Sequence, residues 1–266
     1  MFYTNEEKQP GLVLFFRWIL VVSFLILLAR AFELQIIKGD YFRSLSEKNR
    51  IRRVTIQAPR GKIMARGGQV LADNIESKKR IIFDPLYGYI KSDQIENSPE
   101  EEKISQWKRV YPLGEKAAHI TGYLGEVSQD EVSKVNPDCI DRGPWKLGDL
   151  VGRGGLEEKY DCLLSGIDGE KLIEVDTTGK KVRILGEKKP IAGKDLKTTI
   201  DYDLQLKVAE IMSGKKGAIV VSDKKGEILA LYSSPSFDPN YFINKDSDKV
   251  NKILKDENMP MFNRAL

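Results

Sequence analysis

PRGKIMARGGQVLADN, residues 59–74, sets arginine and glycine at both ends of a short apolar run. Upstream of it Val54, Ile56 and Ala58 alternate with Arg53, Thr55 and Gln57, the period of a half-buried strand. Pro59 ends that strand, because proline has no N–H to give to a ladder. Gly67-Gly68 then reads as a tight turn that sends the chain back along Val70 and Leu71. The stretch therefore predicts a strand corner followed by a hairpin, and it stands shortly after a long apolar segment.

That segment runs uninterrupted as WILVVSFLILLA from Trp18 to Ala29, and Leu12–Phe16 extend it past Arg17. The whole is about 18 to 20 residues, enough to span a bilayer. Arg17 can reach the headgroups along its aliphatic stem, and Pro10 suits a first helical turn. A cleaved signal peptide is the competing reading, since Ala29-Arg30-Ala31 has the A-x-A form. Against it stand Glu6 and Glu7 beside a single Lys8, the arginine inside the cleavage motif, and a helical pattern that continues through AFELQII. Arg30, Lys38, Arg43, Lys48, Arg50, Arg52 and Arg53 crowd the C-terminal flank, which by charge alone would keep the bulk of the chain in the cytoplasm. Large following domains translocate largely regardless of charge, so the motifs decide orientation.

The 266 residues leave room beyond this segment for one large domain or two modest ones. Hydrophobic residues at 41% and charged ones at 31% are ordinary globular usage, which excludes wholesale disorder and a multi-span membrane protein. A net charge of +4, from 43 basic and 39 acidic residues dispersed along the chain, gives no stripe for nucleic acid. Cys139 and Cys162 allow either one disulfide, if this part is exported, or a pair of free thiols. With a single histidine, His119, and no CxxC there is no set of zinc ligands, and no cofactor is indicated. His119 itself, in AAHITGYLG, reads as a structural histidine bridging backbone groups more than as a general base.

Further along, Gly39-Asp40 stops the membrane-proximal helix and opens a short one through Asn49. Ser98-Pro99-Glu100-Glu101 is a capping box that predicts a charged helix ended by Tyr111-Pro112, and Ser128–Glu131 predicts another, together a small helical insertion. Leu156, Tyr160, Leu163 and Leu164 predict a helix over 155–166. GEKLIEVD and KVRIL read as strands around Thr177-Thr178-Gly179-Lys180. After Pro190 come a strand KTTID, a helix with Leu204, Val208 and Ile211 on one face, and strands GAIVVSD and EILALYSS joined by Lys224-Lys225-Gly226. Two strands bury too little to stand alone, so that last sheet reads as unfinished.

Taken in order, ELQIIKGDYF, EKNRIRR, RGKIMARGGQVLADN, RVYPLGEKAAHITGYLG, GRGGLEEKYDCLLSG, VDTTGKKVR, TIDYDLQ, GAIVVSDKKGEILALYSSPSFDPNYF and PMFNRAL make the chain resemble the class B penicillin-binding proteins. Within them it is most similar to the penicillin-binding protein 2 group, the elongation-specific peptidoglycan D,D-transpeptidases. The resemblance implies an α+β chain: a cytoplasmic tail (1–10), a single transmembrane helix (11–33), an extended β-rich pedestal of the dimerisation type (34–194), and the start of a transpeptidase domain (195–266). It implies a single-pass protein of the cytoplasmic membrane with its bulk extracytoplasmic. It implies a SEDS-type glycosyltransferase and a rod-shape scaffold protein as partners, with peptidoglycan met only by the full-length protein and no nucleic acid. A septal, cell-division homologue and a non-catalytic module that occupies the glycosyltransferase are the alternative readings. Where the family usually has Asp-Arg-Asn-Gly after RGxI, this chain has Ala65-Arg66-Gly67-Gly68, so the carboxylate expected at 65 is absent.

Arg60, Arg66 and Arg109 lie beside glycines or a Tyr-Pro turn, and Glu157 stands on a helix that must cover the same region. A partly buried network is expected in which Glu157 accepts from one or two of these arginines, because a guanidinium fork binds a carboxylate in two places as lysine cannot. Its role would be to orient pedestal segments, since buried ion pairs are poor net stabilisers. A penicillin-reactive serine enzyme needs Ser-x-x-Lys at a helix start, with Ser-x-Asn and Lys-Thr-Gly elements. The last two are absent, and Ser-x-x-Lys occurs as Ser105–Lys108, Ser213–Lys216 and Ser222–Lys225, each a chance spacing of two common residues. No catalytic residue is therefore expected, and the resemblance implies a nucleophile beyond Leu266, so that this chain would not be acylated.

Overall fold

The structure is a computed structural model that describes residues 10–84, 88–92, 103–176 and 181–266. It is a mixed α+β chain in two compact units, Met1–Arg52 with Ile173–Arg183, and Arg53–Leu172 with Ile184–Leu266. In the first unit α1 (Pro10–Phe32) is apolar all round. Leu14–Ile37 is long and apolar enough to cross a membrane, with mean hydropathy 2.1, and none of it is buried. A π-turn follows at Glu33–Ile37, Lys38 leaves helical geometry, and α2 (Gly39–Arg50) begins. Glu33 holds the bend electrostatically, paired with both Arg30 and Lys38.

Next come β1 (Ile51–Ile56), β2 (Ile63–Met64), β3 (Val70–Asp84), β4 (Gly88–Ser92) and β5 (Lys103–Val110). In β1 only Val54 and Ile56 are buried, the alternation of a strand with one wet face. The 65–69 turn closes through Ala65 N–H donating to the Gln69 carbonyl and Gly68 N–H donating to that of Ala65. Gly68 has φ +88°, and a register shift between Ile63 and Met64 makes this a bulged hairpin. Ala65, where the family's carboxylate is missing, is fully buried in apolar surroundings that an unpaired acid would not tolerate.

The segment expected to be a charged helix is strand: β5 pairs antiparallel with β3 from Asp73↔Val110 to Arg80↔Lys103. The capping box at 98–101 lies outside the described residues. Eight ladder pairs and the burial of Ile104 and Arg109 override the local helical signal of a charged segment. At Ser128 the capping chemistry does form, with N–H and Oγ both donating to Glu131 at 2.9 Å, yet only one turn follows. Small helical pieces occur instead at Gly114–Lys116, α3 (Ala118–Thr121) and Pro137–Arg142.

Then β6 (Tyr123–Glu126) pairs with β7 (Leu150–Arg153), and the helix expected over 155–166 is two pieces, α4 (Gly155–Lys159) and α5 (Asp161–Leu164). They part at Tyr160, φ −112°, and Asp161 Oδ1 accepts from Gly152 N–H at 3.0 Å, a bond to the neighbouring strand. β8 (Gly169–Val175) and β9 (Lys181–Lys188) join β1 in a sheet ordered β1-β8-β9; the turn at 177–180 lies outside the described residues. Of the strand expected in KTTID only β10 (Leu196–Lys197) forms, parallel to β2.

The remainder is α6 (Tyr202–Ile211), β11 (Gly217–Ser222) and β12 (Ile228–Ser234), followed by α7 (Asn240–Ile243) and α8 (Ser247–Lys255). Asp201 caps α6 by accepting from Leu204 N–H, and Val208, Ala209 and Met212 pack on Ala230 and Tyr232 of β12. Gln205, fully buried, donates to the Lys116 carbonyl at 2.6 Å and the Leu231 carbonyl at 2.9 Å, and accepts from Leu231 N–H at 2.9 Å. The main core of this second unit gathers Ile63, Leu71, Tyr111, Leu164, Ile200 and Leu231. Each fully buried Leu or Ile there contributes about 1.5–3 kcal/mol by leaving water.

Candidate functional site

The core encloses charge. Glu157 of α4 is entirely buried, and Arg60 and Arg109 reach it from the corner before β2 and the end of β5. Arg109 Nε donates to Glu157 Oε1 at 2.7 Å, and Arg60 Nη2 pairs with Glu157 Oε2 at 2.9 Å. Arg60 Nη2 also donates to Asp161 Oδ1 at 2.9 Å. Arg109 Nη1 donates to the Gly61 carbonyl at 2.8 Å and to Asn74 Oδ1 at 3.2 Å, while Asn74 Nδ2 donates to the Arg60 carbonyl at 2.6 Å. Tyr111 OH donates to Glu157 Oε1 at 3.3 Å. Two cations thus face two carboxylates.

Burial weighs against the charge on Arg60, but attraction to Glu157 and then Asp161 outweighs it and raises its pKa. Burial, reinforced by the Glu157 charge, lifts Tyr111 well above the ordinary tyrosine range and keeps it a donor. Arg66 is exposed, and among the described residues no hydrogen bond or ion pair links its side chain to Glu157. It sits on the solvent side of the bulged hairpin, so of the four residues singled out in the sequence, three meet and one does not. Asn74, Tyr111 and Asp161 belong to the cluster and carried no sequence signal, because only the strand register and the break at Tyr160 bring them in.

Glycine makes the approach possible. A Cβ on Gly152 would lie 2.0 Å from the Glu157 carbonyl oxygen, and one on Gly61 would lie 1.8 Å from that of Lys194. The arginine-glycine pairing of the sequence is thus a packing requirement: the backbone must close in for the guanidinium to reach its carboxylate.

Around this cluster, Arg153 makes a two-pronged pair with Glu131, Nη1 to Oε1 at 2.6 Å and Nη2 to Oε2 at 2.5 Å. Those bonds, with the Ser128 donors, hold Glu131 down to about 2. Cys139 and Cys162 form a disulfide with Cα atoms 5.8 Å apart, which resolves the choice the sequence left open. Arg142 donates to the Ser165 carbonyl at 2.7 Å and to that of Gly166 at 3.2 Å, fastening the same loop. His119 packs edge-on against Phe237, 5.6 Å between centroids, with Nδ1 3.5 Å from Ser236 Oγ; burial lowers its pKa, which keeps it neutral.

An open groove of about 420 Å³ between Tyr111, Pro112, Glu115, Asp238, Asn240 and Tyr241 offers no nucleophile. In none of the three Ser-x-x-Lys spacings does a hydrogen bond join serine to lysine among the described residues. Ser105 sits in β5 and donates to Glu76, Ser213 follows α6, and Ser222 ends β11. The cluster joins the corner before β2, the end of β5 and α4.

Residues 89–198 match the penicillin-binding protein dimerisation domain. The peptidoglycan D,D-transpeptidase MrdA of Acinetobacter baumannii is 30% identical across 98% of this chain and 46% of its own length. MrdA of Escherichia coli K12 is 28% identical across 99% of this chain and 49% of its own length. The chain thus spans about half the length of these curated relatives. The crystal structure of Pseudomonas aeruginosa PBP2 in complex with WCK 5153 matches with a TM-score of 0.53 at 27% identity, over 81% of this chain and 37% of that one. The complex of PBP2 and MreC from Helicobacter pylori matches with a TM-score of 0.55 at 23% identity, over 80% of this chain and 48% of that one, a likeness of fold. With the dimerisation domain, relatives along nearly its whole length and a shared fold, the chain belongs to the class B penicillin-binding proteins and is of the penicillin-binding protein 2 kind.

Proposed function

We propose that this chain is the anchoring and pedestal portion of a penicillin-binding protein 2-like peptidoglycan transpeptidase that serves cell-wall elongation and cell shape. The observation that carries the reading is the buried Arg60–Glu157–Arg109 cluster, of which Arg109 and Glu157 lie in the segment 89–198 that matches the dimerisation domain. It locks strand ends and α4 into one rigid piece without exposing any reactive group. In this reading residues 11–33 cross the cytoplasmic membrane, 34–194 form the pedestal outside the cell, and 195–266 begin the transpeptidase domain. α1, at 23 residues, is about 34 Å long, which suits a bilayer core of about 30 Å. The disulfide supports an extracytoplasmic setting, where oxidising conditions preserve it.

The pedestal would dock a rod-shape scaffold protein of the MreC kind, by analogy with the Helicobacter pylori complex, and a SEDS-type glycosyltransferase beside the membrane helix. The chain holds neither Ser-x-Asn nor Lys-Thr-Gly, so it contributes position and not acyl transfer. A fluorescent penicillin should leave it unlabelled while an MreC-type partner co-purifies with it. A covalently labelled band would refute the assignment of a purely positioning role, and failure to retain the partner would refute the docking role.

A further inference from the structure

Just past the last turn of α1 the chain keeps an apolar and basic face. Ile36 and Ile37 of the π-turn are 65% and 69% exposed, and Tyr41 and Phe42 of α2 are 61% and 45% exposed. Leu45 is exposed too. Tyr41, Phe42 and Leu45 are spaced i, i+1, i+4, which sets them on one side of the helix. Ile36 and Ile37 close the apolar stretch Leu14–Ile37, and the large exposed apolar groups Tyr41, Phe42 and Leu45 beyond it are not ordinary surface. The charges beside them are also unequal. Glu33 is neutralised by Arg30 and Lys38, and Arg50 is engaged with Glu174 at 3.3 Å. Arg43 and Arg52 are exposed and carry no ion pair among the described residues.

We propose that Lys38–Arg52, directly after the apolar stretch Leu14–Ile37, is a second membrane-contacting element, lying in the bilayer interface and binding anionic phospholipid. The inference rests on α1 being the membrane span. Its position follows from continuity: the bend at Lys38 comes six residues after α1 ends, so α2 starts at headgroup depth. Tyr41 and Phe42 then sit where amphipathic rings are favoured, with Ile36, Ile37 and Leu45 among the upper acyl chains. The guanidinium forks of Arg43 and Arg52 suit the phosphate oxygens of anionic headgroups, with which they are complementary in charge. The apolar side chains set the depth, and the arginines set the lipid preference. α2 thereby fixes the direction in which the chain leaves the membrane.

The test uses the whole chain in nanodiscs of phosphatidylcholine alone or of phosphatidylcholine with phosphatidylglycerol, read by amide hydrogen exchange. Residues 39–50 should exchange more slowly in the anionic discs, by about five-fold for each arginine engaged. High salt should remove that difference, as should the double variant Arg43→Glu, Arg52→Glu, with the protection of 14–32 unchanged. The salt arm needs no variant, so it stands even where the substitutions impair folding. Equal exchange of 39–50 in both lipids, with 14–32 protected, would overturn this inference alone. So would protection that appears only at high protein-to-disc ratio, which would assign the face to a second copy, or only on adding a polytopic membrane protein. Open exchange at 14–32 would overturn the membrane span itself, and this inference with it.

Discussion

Replacing Glu157 by glutamine keeps the shape of the side chain and removes its charge, and the structure says what remains. Oε1 can still accept from Arg109 Nε, now 2.7 Å away, but Arg60 keeps only Asp161 for its charge and Arg109 keeps none. Glu157 is 0% exposed, so water cannot make up the difference. Breaking one side of a buried pair costs about 3–5 kcal/mol, and the surviving bonds put Glu157→Gln near the lower end, about 3 kcal/mol. For a chain of this size that is a fall in Tm of roughly 6–12 °C, followed by near-UV circular dichroism in a mild detergent. Adding Arg109→Met should restore part of the loss, because the uncompensated cation carries most of the penalty. A Tm unchanged within about 2 °C in Glu157→Gln, or a further fall on adding Arg109→Met, would refute the view that these charges depend on each other.

Gly152→Ala places a methyl 2.0 Å from the Glu157 carbonyl oxygen, so it should yield little folded protein, measurable as loss of protease resistance, whereas Gly186→Ala, with open space around it, should fold normally. Glu131 is depressed from 4.5 to about 2 by Arg153, so its contribution is complete above pH 4.5 and disappears as the pH falls towards 2. Thermal melts of the native chain and of Glu131→Gln should therefore differ at pH 6 and converge near pH 2. The Cys139–Cys162 link closes a loop of 23 residues, worth about 3.4 kcal/mol by chain entropy, and the paired serine variant should lose about that much in denaturant titration.

Local signals in the sequence were read correctly where they were also the deciding ones. The Val54/Ile56 alternation, the Gly67-Gly68 turn, the apolar run of α1 and the helix carrying Leu204 and Val208 each appear as the residues alone dictate. Segment 103–110 shows where such reading stops: its charge suits a solvated helix, but its partner is β3, thirty residues earlier, and nothing local announces that ladder. The Ser128 capping box formed its bonds without a helix to cap, since the apolar face needed to propagate one is missing. The cluster divides the same way. Arginine beside a glycine or a Tyr-Pro turn was legible as a close-packed cation, which found Arg60 and Arg109. Arg66 has the same neighbours but lies on the outer side of the hairpin, and a bulge between Ile63 and Met64 is not written in composition.

Gln205 carries a consequence for how the last sheet is set. Its amide meets carbonyls with its nitrogen and an N–H with its oxygen, so the side chain is polar in a definite sense. Glutamate is its equal in size and would turn an acceptor towards two acceptors. Because Leu231 is held through both its N–H and its carbonyl, the helix acts as a jig for the middle of β12. A two-stranded ribbon is ordinarily free to slip and twist; this one is clamped from beneath, so any strand added along it would meet an edge already cut to length.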